Sequence, residues 1–296
     1  MRKASIVAAA VVVAALVPAP ASAWGTAAHR YIMGRAIDML PAELKPFFEH
    51  YRAELVVRTI DPDTWRNVGW EDDPNHFIDF GMKELGAYPF ADLPREYGAA
   101  LEKFGHATLN RIGRLPWREA EMFGNLRRAF EGFSRGAPYA PNDVVLFAGI
   151  ASHYIQDANQ PFHASVNYDG QLTGNHGIHA RFERDLFERF ESALTLNPAR
   201  PTAIHNVRDF AFDVLLASYQ LVDPILAADR EAIAGKEEYD DAYYQRFFEK
   251  VRPVLERRLA DSITATAGVI IGAWEVAGKP TPAIKGARPV QKVRKP

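Results

Sequence analysis

The 296-residue chain contains no cysteine. A disulfide framework and a zinc site with thiolate ligands are therefore excluded, and any metal site must use His, Asp and Glu. Basic residues are scarce in the central part of the chain. Two of the 35 Lys and Arg precede residue 24 and six follow residue 278, so 27 basic side chains face 37 acidic ones between them. The central part of the chain therefore carries a net negative charge and lacks the basic patch that is typical of a nucleic-acid-binding domain. Bound cations would offset part of this negative charge.

The sequence also lacks strand-like alternation of useful length, internal repeats and a glycine-rich phosphate loop. Apolar residues recur instead at helical spacing, which predicts an all-α protein with a single helical domain. We expect residues 59–93 to be irregular, Asn142 to cap the helix that follows it, and that helix to be central and buried because it is nearly apolar. The predicted helices span 29–40, 42–55, 95–112, 117–133, 143–157, 179–190, 204–227, 240–259 and 262–276.

Residues 1–23 have the features of a secretory signal peptide. A basic start at Arg2 and Lys3 precedes an apolar run, 4–17, that is short for a membrane span, and Ala21-Ser22-Ala23 matches an A-x-A cleavage site. An uncleaved membrane anchor is the alternative. The prediction is a secreted or periplasmic protein, cleaved between Ala23 and Trp24, whose functional domain spans 24–278.

The C-terminal tail, 279–296, contains four prolines, six basic residues and no acidic residue. This composition predicts a disordered basic tail. It could remain simply solvated, or it could make a weak contact with an anionic membrane surface or cell wall. No obligate protein partner is implied by the sequence.

The densest group of potential metal ligands lies between residues 153 and 183. His153 and Asp157 are four residues apart, as are His179 and Glu183, and His163 lies between the two pairs. Residues four apart share one face of a helix, so each pair can bind one metal ion. The alternative is ordinary surface pairs, but two such pairs and a further His in about thirty residues favour a metal site of more than one ion.

Further potential ligands precede this group. Cleavage after Ala23 would free the α-amine of Trp24, which could chelate a metal together with its own carbonyl oxygen, because an α-amine has a pKa of only about 7.7–8.0. His29 and His76 supply imidazoles, and the segment DPDTWR supplies Asp61 and Asp63.

In this order and spacing, the residues resemble the superfamily of secreted zinc-dependent phospholipases C and zinc-dependent nucleases. The resemblance extends from Trp24 to about residue 274 and includes the specific spacing His-x3-Asp-x5-His. It implies an all-helical fold with a cleft that binds three Zn2+ ions. The implied ligands are His76, His153, Asp157 and Asp63 for the first ion, His163, His179 and Glu183 for the second, and Trp24 and His29, bridged by Asp157, for the third.

Within this implied site, Asp63 would act either as a metal ligand or as a catalytic base. Asp63 precedes Arg66 by three residues, as in the nucleases of the superfamily, whereas Asp61 lies fifteen residues before His76, a spacing that also occurs in the family. We favour Asp63 and keep Asp61 as the alternative. His176 has no carboxylate four residues later and is expected to be a cleft residue.

The resemblance implies hydrolysis of a phosphodiester by metal-activated water, but it supports two substrates. HYIQDANQPFHA, GIHARFE, the short loop 163–179 and Glu183 resemble phospholipases C, which release diacylglycerol and a phosphorylated headgroup. The segment WG-x3-H and the Asp-x-x-Arg motif resemble nucleases acting on single-stranded DNA or RNA. Neighbouring aromatic residues could stack a base or hold a choline group; they are Trp65, Trp70, Phe77, Phe162 and Tyr168. We favour the phospholipase, with the nuclease as alternative. A secreted zinc-stabilised binding protein without activity is a third hypothesis, of another class.

Overall fold

The structure, a computed structural model, describes residues 24–286. The proposed signal peptide, 1–23, and the end of the tail, 287–296, lie outside the described residues. Within 24–286 the regular elements are helices and no strand is present, which confirms the predicted all-α fold. The α-helices are α1 Thr26–Asp38, α2 Lys45–His50, α3 Arg52–Arg58, α4 Asp61–Asn67, α5 Tyr97–Ile112, α6 Leu115–Ser134, α7 Ala140–Ala158, α8 Ile178–Ala180, α9 Leu186–Phe190, α10 Val207–Tyr219, α11 Val222–Ile233 and α12 Asp241–Val276.

Helix α7 is the centre of the fold. Its sequence is nearly apolar, and it packs against α1, α3, α6, α10 and α12, so that most of its side chains are buried. The prediction of a buried central helix is therefore confirmed. The last two turns of α7 carry His153 and Asp157, which places these polar side chains in the interior of the protein.

Two helix boundaries predicted in the C-terminal half are wrong. Residues 241–276 form one helix rather than two, because residues 259–262 contain no glycine or proline and the buried face continues through Leu259 and Ile263. Conversely, the predicted helix 204–227 divides into α10 and α11. Helix α10 packs against α6 and α7, whereas α11 packs against α12, and this change of partner requires the chain to turn.

Two further differences concern the N-terminal half. The segment 59–93 was expected to be irregular, but it contains α4, which begins with Asp61 and Pro62, two residues that favour the first turn of a helix. Helix α7 begins at Ala140, so Asn142 lies inside the helix and is not its cap.

The described part of the tail, 279–286, contacts the folded domain. The Trp274 indole donates a hydrogen bond to the Pro280 carbonyl, and the Tyr51 hydroxyl donates one to the Ile284 carbonyl.

Candidate metal centre

The buried carboxylate of Asp157 lies at the centre of a cluster of imidazoles and carboxylates. Three groups of potential ligands share or adjoin it, and within each group the donor atoms lie within 4.8 Å of one another. The first group is Asp63, His76 and His153; the second is His163, His179 and Glu183; and the third is His29, His153 and Asp157. The structure thus brings together eight of the nine residues that the sequence analysis named as ligands, and it places the ninth, Trp24, nearby.

The first group and the neighbouring Asp157 bring four potential ligands close together. The Oδ2 atom of Asp157 lies 2.9 Å from His76 Nδ1 and 3.2 Å from His153 Nε2, and these two nitrogens are 3.0 Å apart. Asp63 Oδ1 lies 3.9 Å from each nitrogen. Two atoms bound to one zinc ion at about 2.0–2.1 Å in a tetrahedral arrangement would be about 3.3–3.4 Å apart. The observed separations, 2.9–3.9 Å, lie on both sides of this value, so the four side chains could hold a single ion.

The other nitrogen of each of these imidazoles is bonded to an oxygen outside the group. His153 Nδ1 donates to the Thr59 carbonyl at 2.9 Å, so Nε2 is the nitrogen that faces Asp157. This contact depends on Gly149, one turn before His153, because a Cβ atom there would lie 2.6 Å from the Arg58 side chain. The glycine thus allows the end of α3 to approach α7 closely.

His76 is oriented by a carboxylate that the sequence analysis did not identify. Its Nε2 lies 3.1 Å from Asp72 Oδ2, and Asp72 also accepts hydrogen bonds from the Tyr154 hydroxyl and the Asn75 amide. Burial opposes ionisation of Asp72, but these hydrogen bonds hold its pKa well below the ordinary value. A carboxylate behind a ligating imidazole fixes the ring and makes it a stronger ligand.

The second group lies around an irregular helical turn. His179 Nε2 is 2.9 Å from Glu183 Oε2, which also accepts a hydrogen bond from the Gln160 amide at 2.8 Å. His163 Nδ1 donates to the His76 carbonyl, so its Nε2, 3.9 Å from Glu183, carries the lone pair. Residues Arg181–Asp185 form a π-helical turn between α8 and α9, a feature that often occurs at functional sites.

The third group connects the start of the described chain to the cluster. His29 Nε2 lies 3.4 Å from Asp157 Oδ1, while His29 Nδ1 is 2.6 Å from the side-chain oxygen of Gln156. The indole of Trp24, which is buried, donates to the Gln156 carbonyl at 2.8 Å. Gln156 therefore fixes both His29 and Trp24 beside Asp157. Ligation by the amine of Trp24 stays a prediction.

Close packing holds this segment against the second group. Gly25 follows Trp24, and a Cβ atom at Gly25 would lie 2.9 Å from the Cβ atom of Arg184 in the π-helical turn. Only glycine fits this approach without displacing the turn. The N-terminal segment and the turn that carries Glu183 are thus positioned against each other.

The electrostatics of the cluster favour a bound cation. Burial opposes the charge on Asp157, but the neighbouring His153 holds its pKa well below the ordinary value. Burial and the neighbouring carboxylates of Asp63 and Asp157 raise the pKa of Glu183 well above its ordinary value. Burial lowers the pKa of His163 to about 3 and that of His179 to about 4, so both are neutral and able to bind a metal at neutral pH. A cation would offset the repulsion between the carboxylates.

A cleft of about 450 Å3 opens onto the first and second groups. Arg66 lies in its wall, 3.5 Å from Asp63 Oδ1, and is also paired with Asp73. Burial raises the pKa of Asp79, another wall residue that the sequence analysis did not identify, to about 7. The aromatic side chains that line the cleft are Phe77, Phe162 and Tyr168.

Several residues named from the sequence lie outside the cluster. Asp61 pairs with Arg58 at 3.2 Å and is in none of the three groups. His176 is exposed and does not line the cleft, so its prediction as a cleft residue is wrong. Its carbonyl accepts a hydrogen bond from Arg181 instead. Trp65 and Trp70 stack on each other rather than on the cleft wall.

Asp61 and Asp63 form a matched pair for mutagenesis, because they lie two residues apart on α4. We expect Asp63→Asn to lower turnover of a phosphodiester substrate by more than about 10-fold, since it removes a charge from the first group. Asp61→Asn breaks only a partly exposed ion pair and should leave turnover within about twofold of wild type. Steady-state kinetics and metal analysis of both variants test this expectation, and the reverse order of effects would assign Asp61 to the site.

No family model matches this sequence, and it has no match among curated proteins.

Proposed function

We propose that this protein is a secreted phosphodiester hydrolase that uses three zinc ions and resembles phospholipase C in its action. The observation that carries the proposal is the position of the buried Asp157 carboxylate, which lies within 3.7 Å of imidazoles from all three groups, with a cleft that opens onto two of these groups. Such an arrangement suits phosphodiester hydrolysis, because zinc lowers the pKa of bound water to about 7 and neutralises the charge of the reacting phosphoryl group.

The residues of the cleft have complementary roles in this proposal. His76, His153 and Asp157 would hold one ion, and Asp63, beside them, would hold the same ion or accept a proton from the attacking water. His163, His179 and Glu183 would hold a second ion, and His29 with Trp24 the third. Arg66 would bind a phosphate oxygen, since a guanidinium group matches the geometry of a phosphate.

Phospholipid is the substrate that we favour. Phe77 and Tyr168 line the cleft and can hold a choline group through cation–π contacts. The excess of acidic residues in 24–278 opposes a polyanionic substrate. The nuclease is the second candidate, and the joint presence of Asp63 and Arg66 at the cleft favours it.

A parallel assay of the mature protein distinguishes these candidates. The zinc-loaded protein is tested on phosphatidylcholine vesicles, on single-stranded DNA and RNA, and on the soluble diester bis(4-nitrophenyl) phosphate. We expect diacylglycerol release from the vesicles and slow turnover of the soluble diester. Faster cleavage of the polynucleotides would establish the nuclease, and inactivity on all substrates would favour a zinc-stabilised binding protein.

A further inference from the structure

Exposed apolar side chains lie beside one border of the cleft. Arg66 and Asp73 line the cleft, and the chain between them carries Val68 and Trp70, which are 64% and 62% exposed. Because both ends of this short segment lie in the cleft wall, the two apolar side chains project near its mouth.

A second exposed apolar segment also adjoins the cleft. His163 and His179 line the cleft, and the loop between them carries Tyr168, itself a wall residue, and Leu172, which is 66% exposed. Among the described residues, four large apolar side chains are more than 60% exposed, and three of them belong to these two segments. We define residues 67–72 and 167–174 together as the rim.

The conformation of the first rim segment holds its apolar side chains outward. The Trp70 amide donates to the Trp65 carbonyl at 3.0 Å, and the two indoles stack with their centres 5.6 Å apart. Gly69, between Val68 and Trp70, has a φ of 84°, a value that glycine adopts without strain. The exposure of Trp70 is therefore part of an ordered turn, in which Trp65 supports one face of the ring.

The charge of the rim restricts the partner that it can meet. The accessible charged residues of the rim are Glu71 and Asp169, and the rim contains no lysine or arginine. An anionic bilayer or a nucleic acid would be repelled, because both attract basic surfaces. A surface without net charge, such as a bilayer of zwitterionic phospholipid, carries no such penalty.

The side-chain types of the rim point to the same partner. Tryptophan and tyrosine favour the interface between headgroups and acyl chains, and large apolar side chains of any shape gain by leaving water. A single-stranded nucleic acid gains mainly from flat rings on which bases stack. Val68 and Leu172 offer no ring, so they suit a lipid surface and contribute little to base stacking.

We propose that the rim is a docking surface for zwitterionic lipid bilayers, which brings the mouth of the cleft against the headgroups. Val68, Trp70 and Leu172 enter the interface, to the depth of about 5–10 Å at which interfacial anchors lie. The phosphodiester of a lipid then faces the cleft without leaving the bilayer. This inference rests on the proposed phosphodiesterase and adds how the substrate is presented to it.

The test combines three substitutions, Val68→Ser, Trp70→Ser and Leu172→Ser, none of which alters a residue assigned to the cleft wall. We expect the zinc-loaded variant to bind phosphatidylcholine vesicles about 10-fold more weakly than wild type or worse, since three large apolar side chains no longer leave water. Hydrolysis of vesicle phospholipid should fall in parallel. Turnover of soluble bis(4-nitrophenyl) phosphate should equal that of wild type.

A matched control combines Val57→Ser, Tyr139→Ser and Val276→Ser, which remove exposed apolar side chains outside the rim. It should bind vesicles as wild type does. Equal vesicle binding by the rim variant and wild type, or preference of wild type for phosphatidylglycerol over phosphatidylcholine, would overturn the inference. Loss of single-stranded DNA binding in place of vesicle binding would identify the rim as a nucleic-acid surface. Absence of turnover on the soluble diester would instead refute the proposed function, and vesicle binding would still be measured separately.

Discussion

Asp157→Asn should reduce phosphodiester turnover by more than about 100-fold, because direct ligands matter more than the supporting residues whose loss already costs 10–100-fold. The two oxygens of Asp157 lie 2.9 Å from His76, 3.2 Å from His153 and 3.4 Å from His29. Asparagine has the same size but no charge, so these imidazoles lose their common anionic partner. We therefore also expect the variant to bind fewer zinc ions, as measured by elemental analysis.

Asp143→Asn is the matched control for this substitution. Asp143 is exposed in the first turn of the same helix, α7, and the change there should affect neither zinc content nor turnover beyond about twofold. Circular dichroism of both variants would show whether α7 and its neighbours remain folded. A folded Asp157→Asn protein with full zinc content and full turnover would contradict the shared-ligand arrangement.

Part of this site is predictable from sequence because its geometry is local. The spacing of four residues between His153 and Asp157, and between His179 and Glu183, places each pair on one helical face. The structure shows His153 and Asp157 3.2 Å apart and His179 and Glu183 2.9 Å apart. The central position of α7 follows in the same way from its continuous apolar sequence.

The supporting residues were not predictable, because they come from distant parts of the chain. Thr59 contributes only a carbonyl group, which no side-chain pattern reveals, and it reaches His153 because Gly149 allows close packing of α3. Asp72 lies four residues before His76, but many such pairs occur on surfaces, and only its burial with Tyr154 distinguishes it. Gln156 orients His29 across 127 residues of sequence.

The missed helix α4 had a local signal that the irregular composition of its surroundings obscured. Pro62 at the start and Asp61 and Asp63 in the first turn are typical of a helix N-terminus. The division between α10 and α11 also has a local signal, because Pro224 lies in the first turn of α11 and has no backbone N–H to donate to the preceding turn. The packing of the two segments against different helices accounts for the turn between them.

Removal of zinc with a chelator should abolish turnover and lower the melting temperature, and added zinc should restore both. The donors come from α1, α4, α7, α8, the π-helical turn and the segments around His76 and His163, so an ion that binds them stabilises the folded state alone. Without the ion, Asp63, Asp157 and Glu183 remain close together in the interior. The measurements are thermal unfolding, turnover and elemental analysis before and after chelation. Full turnover in excess chelator, with no metal detected, would refute a metal-dependent mechanism.

The size of the zinc effect on stability should increase with pH between about 6.5 and 8.5. Burial lowers the pKa of His153, but Asp157 and Asp63 raise it to about 9 in the metal-free protein, above the ordinary value of 6.5. The folded metal-free state thus holds a proton that the unfolded state releases. The stability from this proton is fully present below pH 6.5 and is lost as the pH rises through 9. His163 and His179, with pKa values of about 3 and about 4, affect the pH dependence of stability only at lower pH. Zinc requires neutral His153, so the zinc-loaded protein should escape this loss. A zinc-induced rise in melting temperature that is equal or smaller at the higher pH would show that His153 is not a ligand.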